Sequence, residues 1–261
     1  MLLAVDIGNT NVAFGVFEGE RLRATWRMAA DINRMADEYA ALFLNLMHQR
    51  GLDKSDIKEV ALCSVVPPLT ATLEELSQQY FHISPLVVGA GVKTGVRIRM
   101  DNPREVGADR IANAAAAHHL YESPVIIVDL GTATTFDIVS REGDYLGGVI
   151  APGMNTAAEA LFTQAAMLPR VELATPKHVI GTNTVSAMQS GIVFGYVGLI
   201  EAMVARLQEE LQEKARVVAT GGWAKTIARE TAVIDVVNPD LTLIGLRLIY
   251  YMNRTLSLIH I

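Results

Sequence analysis

Five short segments of this 261-residue chain combine residue types that could do chemistry. The first is Asp6-Ile7-Gly8-Asn9-Thr10-Asn11, a polar turn after the apolar run Leu2 to Val5. Gly8 lets backbone approach a ligand, and the amides with the Asn9, Thr10 and Asn11 side chains offer donors to phosphate oxygens. Asp6 could hold a magnesium ion, directly or through water; an ordinary Asn/Gly hairpin turn would use the same residues. The second, Asp129-Leu130-Gly131-Thr132-Ala133-Thr134-Thr135, supplies another carboxylate and three hydroxyls, and reads equally as a threonine-rich strand. The third, Gly107-Ala108-Asp109-Arg110, opens an alanine-rich stretch. An aspartate there complements a helix dipole, but beside Arg110 it does more: arginine suits capture of a substrate carboxylate, while Asp109 can accept a hydroxyl proton. In the fourth, Gly181-Thr182-Asn183-Thr184 with Ser186, Gln189 and Ser190 beyond, the cluster either caps a helix or lets Thr184 donate to a polar substrate. The fifth, Ala219-Thr220-Gly221-Gly222-Trp223, is a glycine strand-to-helix turn suited to a nucleotide or to tight packing.

The elements that must position these segments follow from periodicity. Leu2 to Val5, Val12 to Phe17 and Leu22 to Met28 read as a meander of strands with a turn at Glu18-Gly19-Glu20. Tyr39, Leu42, Phe43 and Leu46 fall at helical spacing between Ala36 and Arg50, before Gly51. A strand over Glu59 to Val66 ends in Pro67-Pro68, which start a helix towards Tyr80, and another helix is predicted from Val106 to Tyr121. The pattern then begins again. Val5-Asp6-Ile7-Gly8 is echoed by Val128-Asp129-Leu130-Gly131 at an offset of 123 (129 minus 6). Ala61-Leu62-Cys63-Ser64 is echoed by Val218-Ala219-Thr220-Gly221-Gly222. The expectation is a duplicated α/β protein with a nucleotide cleft between its halves. Its boundary falls near residues 118 to 123, giving domains 1–120 and 121–261.

Composition narrows the class. Hydrophobic residues make up 51% and charged residues 19%, which excludes disorder and points to a globular chain. Lys plus Arg is 22 against 28 for Asp plus Glu, a net charge of −6, so no basic face for nucleic acid is expected. The one cysteine, Cys63, cannot form an intrachain disulfide, and the N-terminus lacks a basic region typical of a signal peptide. The longest apolar stretch, Gly191 to Ile200, is short of the roughly 18 residues that span a bilayer. A cytoplasmic protein without a membrane partner is expected. Gly89-Ala90-Gly91-Val92-Lys93-Thr94 imitates a P-loop but has Val92 where the motif needs glycine. His118 and His119 are adjacent, so on a helix they diverge by about 100° and cannot share a metal.

Taken in order, the Asp6 to Asn11 turn, Asn102-Pro103 leading to Gly107-Ala108-Asp109-Arg110, the Asp129 to Thr134 turn, and Gly181 to Thr184 through Gln189-Ser190-Gly191 resemble type III pantothenate kinase. The Gly-Ala-Asp-Arg segment joined to two Asp-x-Gly turns is the specific element, since such turns alone run through the sugar kinase, actin and heat-shock chaperone superfamily. The resemblance implies duplicated ribonuclease H-like domains and ATP-dependent phosphorylation of the 4′-hydroxyl of pantothenate, the first step of coenzyme A synthesis. It further implies that Asp6, Ile7, Gly8, Asn9, Thr10, Asn11, Val12 and Ala13 face ATP and Mg²⁺, and that Thr132 contacts ATP. Asp109 would be the proton acceptor, Gly107, Ala108, Asp109 and Arg110 with Thr184 would hold pantothenate, and Asp129 would take potassium or ammonium. A homodimer with the substrate pocket near its interface is implied as well. Where the family commonly places a tyrosine shortly before Asn-Pro, this chain has Met100. That keeps apolar area without a phenol hydroxyl and predicts altered pantothenate affinity rather than lost chemistry. A sugar or acetate kinase of the same superfamily, or a nucleotide-binding regulator without turnover, are the alternatives; a regulator would have no need of the Asp109-Arg110 pair.

Overall fold

The structure is a computed structural model that describes residues 1–121 and 124–257. Residues 122 and 123, inside the boundary segment expected from the sequence, and 258–261 lie outside the described residues. The chain begins with the meander β1 (Leu2–Ile7), β2 (Asn11–Glu18) and β3 (Arg21–Ala29). It continues through α1 (Ala36–Gln49), β4 (Glu59–Ser64), α2 (Pro67–Leu76) and β5 (Leu86–Val87). The sheet order is β3-β2-β1-β4-β5, with β1 antiparallel to β2 and parallel to β4. After β6 (Arg97–Ile98) and α3 (Ala108–Leu120) the order recurs: β7 (Val125–Leu130), β8 (Ala133–Val139), β9 (Asp144–Pro152), α4 (Met154–Gln164), α5 (Thr184–Leu211) and β10 (Arg216–Thr220). The short α6 (Ala224–Ile227), β11 (Val236–Val237) and α7 (Leu241–Ser257) complete it. The second sheet runs β11-β10-β7-β8-β9-β6. Without the edge strand β6, this is the first sheet's order and strand direction again, so the chain is a doubled ribonuclease H-like α/β fold.

The chain divides into two compact units. One comprises Met1–Arg97, Asp101–Ala116 and the stretch from Leu241 onward; the other comprises Ile98–Met100 and Ala117–Asp240. In the first, β1 is buried on both faces, which is why it reads as an unbroken apolar run. Leu3, Val5 and Ile7 pack with Phe14, Tyr39, Phe43 and Leu69 under α1 and α2; the Phe14 and Phe43 rings stack with centroids 4.5 Å apart. Leu2 and Ala4 pack with Ala61, Cys63, Ala112, Leu243 and Leu246 under α3 and α7. In the second unit, Ile126, Val128, Leu130 and Phe136 occupy one face of the sheet with Ile192, Val193 and Ile200 of α5.

Local differences from the sequence expectation have physical causes. The strand expected to reach Val66 stops at Ser64: the Ser64 hydroxyl accepts from the Val66 amide at 3.0 Å and bends the chain into α2. The helix expected from Val106 starts at Ala108, because Asn102 caps a separate single turn over Pro103–Glu105. The Gly89 to Thr94 segment has no helix behind it, and its Lys93 amide donates to the Asn253 side chain at 3.1 Å, so its likeness to a P-loop is accidental.

Helices α3 and α7 meet where Gly245 lies against the backbone of Ala112, so a Cβ at Gly245 would run into the Ala112 carbonyl. Gly245→Val should therefore push the helices apart and destabilise the first unit by about 3 kcal/mol. Urea unfolding followed by circular dichroism checks this, and wild-type stability in the variant would contradict it.

Candidate active site

In the first unit, Asp6 stands near the end of β1, opposite Ala13 of β2 and Cys63 of β4. The turn beyond it is closed by the Gly8 amide donating to the Asn11 carbonyl at 3.0 Å and is tied to β3 by Ala30 donating to the Thr10 carbonyl at 2.9 Å. Asn9, Thr10 and Asn11 are exposed. Ile7 and Val12 point into the core, so only their main chains can meet a ligand. Asp6 keeps some solvent access but is crowded by protein. Burial, and then the charge of Asp109, push its carboxyl up to about 7 from an ordinary 3.8, against smaller opposing effects of Cys63 and Arg27. The Cys63 thiol donates to Asp6 Oδ1 at 3.3 Å. Burial, followed by the charges of Asp6 and Asp109, drives that thiol's own pKa far upward, so it stays a neutral donor.

Asp109 sits in the first turn of α3, which begins as Ile111 donates to the Gly107 carbonyl at 3.1 Å. The Arg110 amide donates to Asp109 Oδ1 at 2.8 Å and fixes the carboxylate over the helix start. Gly107, Ala108, Asp109 and Arg110 are all half-buried. The first unit thus brings together the turn from Asp6 to Ala13 and the Gly107 to Arg110 segment, and the influence of Asp109 on Asp6 is the electrostatic sign of it.

The second unit repeats the turn. Asp129 near the end of β7 lies opposite Thr135 of β8 and Thr220 of β10, the register places that Asp6 has with Ala13 and Cys63. Here the Gly131 amide donates to the Ala133 carbonyl at 3.0 Å. Thr132 is exposed, and its carbonyl accepts from the Gly153 amide at 3.1 Å and from Thr156 Oγ1 at 2.7 Å. Gly153 is required by close approach, since a side chain there would collide with the carbonyls of Gly131 and Thr132. Gly221, at φ +89°, passes under Asp129: a Cβ would stand 2.6 Å from its Oδ1. Met100 follows Arg99, whose amide donates to the Tyr145 carbonyl at 2.8 Å, and its sulfur lies beside Gly147 of β9. Thr184 is the exposed first residue of α5. The neighbouring polar residues have structural partners: Asn183 caps the helix by accepting from the Ser186 amide at 2.9 Å, Gln189 donates to the Glu172 carbonyl, and Ser190 to that of Val179.

Three residues here were not singled out from the sequence for this chemistry. Cys63 was signalled only by the echo that aligns it with Thr220. Gly153 and Thr156, which hold Thr132, carry no local motif, because they act on a turn that precedes them by more than twenty residues.

A family model for type III pantothenate kinase matches residues 2–206. A type III pantothenate kinase of Dehalococcoides mccartyi strain 195 is 58% identical over 253 residues, covering 97% of this chain and 98% of its own. That of strain CBDB1 is 58% identical over 97% of this chain and 96% of its own. Among solved structures, a conserved Baf family protein from Campylobacter jejuni superposes with a TM-score of 0.60 at 20% identity, covering 97% of this chain and 99% of its own. An inorganic polyphosphate/ATP-glucomannokinase from Arthrobacter superposes with a TM-score of 0.51 at 13% identity over 97% and 98% of the two chains. At those identities the superpositions establish the fold. The full-length sequence matches establish the family, and the chain belongs to the type III pantothenate kinases.

Proposed function

We propose that Asp109 takes the proton of the pantothenate 4′-hydroxyl as that oxygen attacks the γ-phosphorus of ATP and ADP leaves. As a member of its family the chain is a pantothenate kinase, forming 4′-phosphopantothenate for coenzyme A synthesis; the assignment of its residues is our reading. The observation that carries it is the shared field of Asp109 and Asp6 at one end of the first unit's sheet. There, a half-buried carboxylate on a helix start stands by a second acid that is poorly neutralised. Phosphoryl transfer asks chiefly for positioning and for countering charge on oxygens, and a positioned base adds typically ~10²- to 10⁴-fold.

Asp6 suits Mg²⁺, because burial and Asp109 both oppose its ionisation and a divalent cation relieves both. Among the described residues no cluster of three or more His, Cys, Asp or Glu is present. One protein carboxylate with water and phosphate oxygens is the ligand set magnesium favours. When bound, the ion neutralises charge on the transferring phosphoryl group. The main chain from Asp6 to Ala13, the side chains of Asn9, Thr10 and Asn11, and Thr132 hold ATP. Gly107 to Arg110, Met100 and Thr184 hold pantothenate, Arg110 taking its carboxylate. Asp129, flanked in register by two threonines, takes a potassium or ammonium ion. A single reduced cysteine and reliance on ATP suit work in the cytoplasm.

The acting species is a homodimer. α5 has an 18-residue window of mean hydropathy 1.5, of which 28% is buried within the chain. By length and composition it would pass for a membrane span, beyond what the Gly191 to Ile200 run suggests. With α4 it lines an apolar groove of about 950 Å³ that includes Leu161, Thr184, Met188, Gly191 and Gly195. A surface of this kind is one a second copy covers. Gly195 faces open space, so Gly195→Glu should leave the fold intact and shift sedimentation velocity from twice the chain mass to the chain mass. An unchanged sedimentation coefficient would remove α5 from the interface.

Asp109→Asn should lower kcat by about 10²- to 10⁴-fold with the circular dichroism spectrum unchanged, read in a coupled ADP-release assay with pantothenate; wild-type turnover would refute the base. Asp6 gives a pH signature. Its folded pKa lies above its unfolded one, so the folded chain binds the proton more tightly. Stability without nucleotide should then fall as pH rises from about 4 to about 7 and flatten above, by as much as ~4 kcal/mol. Asp6→Asn should flatten that slope in thermal melts run between about pH 4 and about pH 8. A slope unchanged by the substitution would show that another group causes it.

A further inference from the structure

The face of the second sheet that carries Asp129 holds a buried polar track that the phosphoryl-transfer residues leave unused. Ile126, Val128, Leu130 and Phe136 fill one face with the α5 core. By strand alternation Asp129, Thr135 and Asp137 share the other. Thr135 lies directly opposite Asp129 in the β7–β8 register. Its hydroxyl donates to Asp137 Oδ2 at 3.2 Å, and the Tyr145 hydroxyl donates to Asp137 Oδ1 at 2.6 Å. Asp137 and Tyr145 are both fully buried. A buried carboxylate is expensive unless its oxygens accept hydrogen bonds, so this one fixes the direction in which the Thr135 proton points.

The duplication supplies an internal control. At the register position of Thr135 the first half has Ala13, opposite Asp6, and at that of Asp137 it has Gly15, opposite Ala4 as Asp137 is opposite Ile127. At those two positions the first half is small and apolar, with Gly15 packed beneath Leu243, while Arg27 and Thr25 of β3 lie opposite Ala13 and Gly15. The same strand order is built without a threonine or an aspartate at those two β2 positions, so the architecture does not demand them in the second half.

We propose that Thr135, oriented by the buried Asp137–Tyr145 pair, is an oxygen ligand of the monovalent cation beside Asp129. This rests on the reading of Asp129 as the cation residue. With its proton committed to Asp137, the Thr135 hydroxyl presents only lone pairs toward Asp129. A neutral oxygen of that kind suits a large, weakly hydrated monovalent cation: it adds coordination without a second charge. Gly221 brings bare backbone close to the Asp129 carboxylate, where a Cβ would stand 2.6 Å from Oδ1. Asp137 and Tyr145 do not touch the ion; they are positioning residues for Thr135.

The test is the rise in melting temperature of the nucleotide-free protein with KCl, at constant ionic strength made up with tetramethylammonium chloride, which gives an apparent K⁺ midpoint without turnover. Wild type should show a saturable rise, and Asp129→Asn should lose it. Thr135→Val should raise the midpoint at least ~10-fold while Thr135→Ser restores it, and Tyr145→Phe should raise it about 10-fold or more, as removing the partner of a metal ligand does. If Asp129→Asn loses the K⁺ response while Thr135→Val and Tyr145→Phe keep the wild-type midpoint, the role of Thr135 is overturned and Asp129 stands. A wild-type K⁺ response retained in Asp129→Asn, or absent from wild type, overturns both. Should Thr135→Val not fold, Thr135→Ala and Tyr145→Phe give the same readout.

Discussion

An acidic side chain at the end of a central strand buried on both faces is the constraint around which each half of this molecule is arranged. The apolar residues that precede Asp6 are what let β1 sit between two helical layers, and the same layers take water away from the carboxylate. The nearest polar neighbour on the adjoining strand is a thiol, which donates a hydrogen bond but brings no charge. A lysine or arginine there would neutralise Asp6 and leave nothing for a cation to satisfy. With Asp109 adding to the unfavourable field, the acid is comfortable only when protonated or when a cation is present. That property sets Asp6 apart from the carboxylate of a structural ion pair.

The two halves meet this constraint differently. Register equates Asp6 with Asp129, Cys63 with Thr220, Ala13 with Thr135 and Gly15 with Asp137. In the first half the strand end is backed by small apolar residues beneath α7, and the acid answers to Asp109. In the second it is backed by hydroxyls and a buried carboxylate. The halves thus differ at the positions flanking the acids while the order of the five shared strands is kept.

Turn geometry is held from a distance. The exposed turn at Gly131 and Thr132 would be loose by itself, yet the β9–α4 junction locks it through Gly153 and Thr156. Both act on the Thr132 carbonyl, which accepts from the Gly153 amide and the Thr156 hydroxyl, so the turn is preorganised from the far end of β9.

Local chemistry was legible in the sequence wherever a short segment decides its own conformation. The meander, α1, the proline start of α2, the Asn183 cap and the recurrence of Asp-x-Gly follow from periodicity and turn propensity, and they were enough to yield the doubled fold and the candidate acids. What no local pattern could reveal depends on strands and helices far apart in the chain: Cys63 against Asp6, Gly245 against Ala112, Thr156 on Thr132, and the return of α7 to the first unit. Hydrophobic alternation assigns a side chain to a face but carries no record of which strand lies beside it. Parallel pairing of β1 with β4 and of β7 with β10 is set by crossovers of dozens of residues, so the neighbours that tune each carboxylate exist only once the sheets have closed.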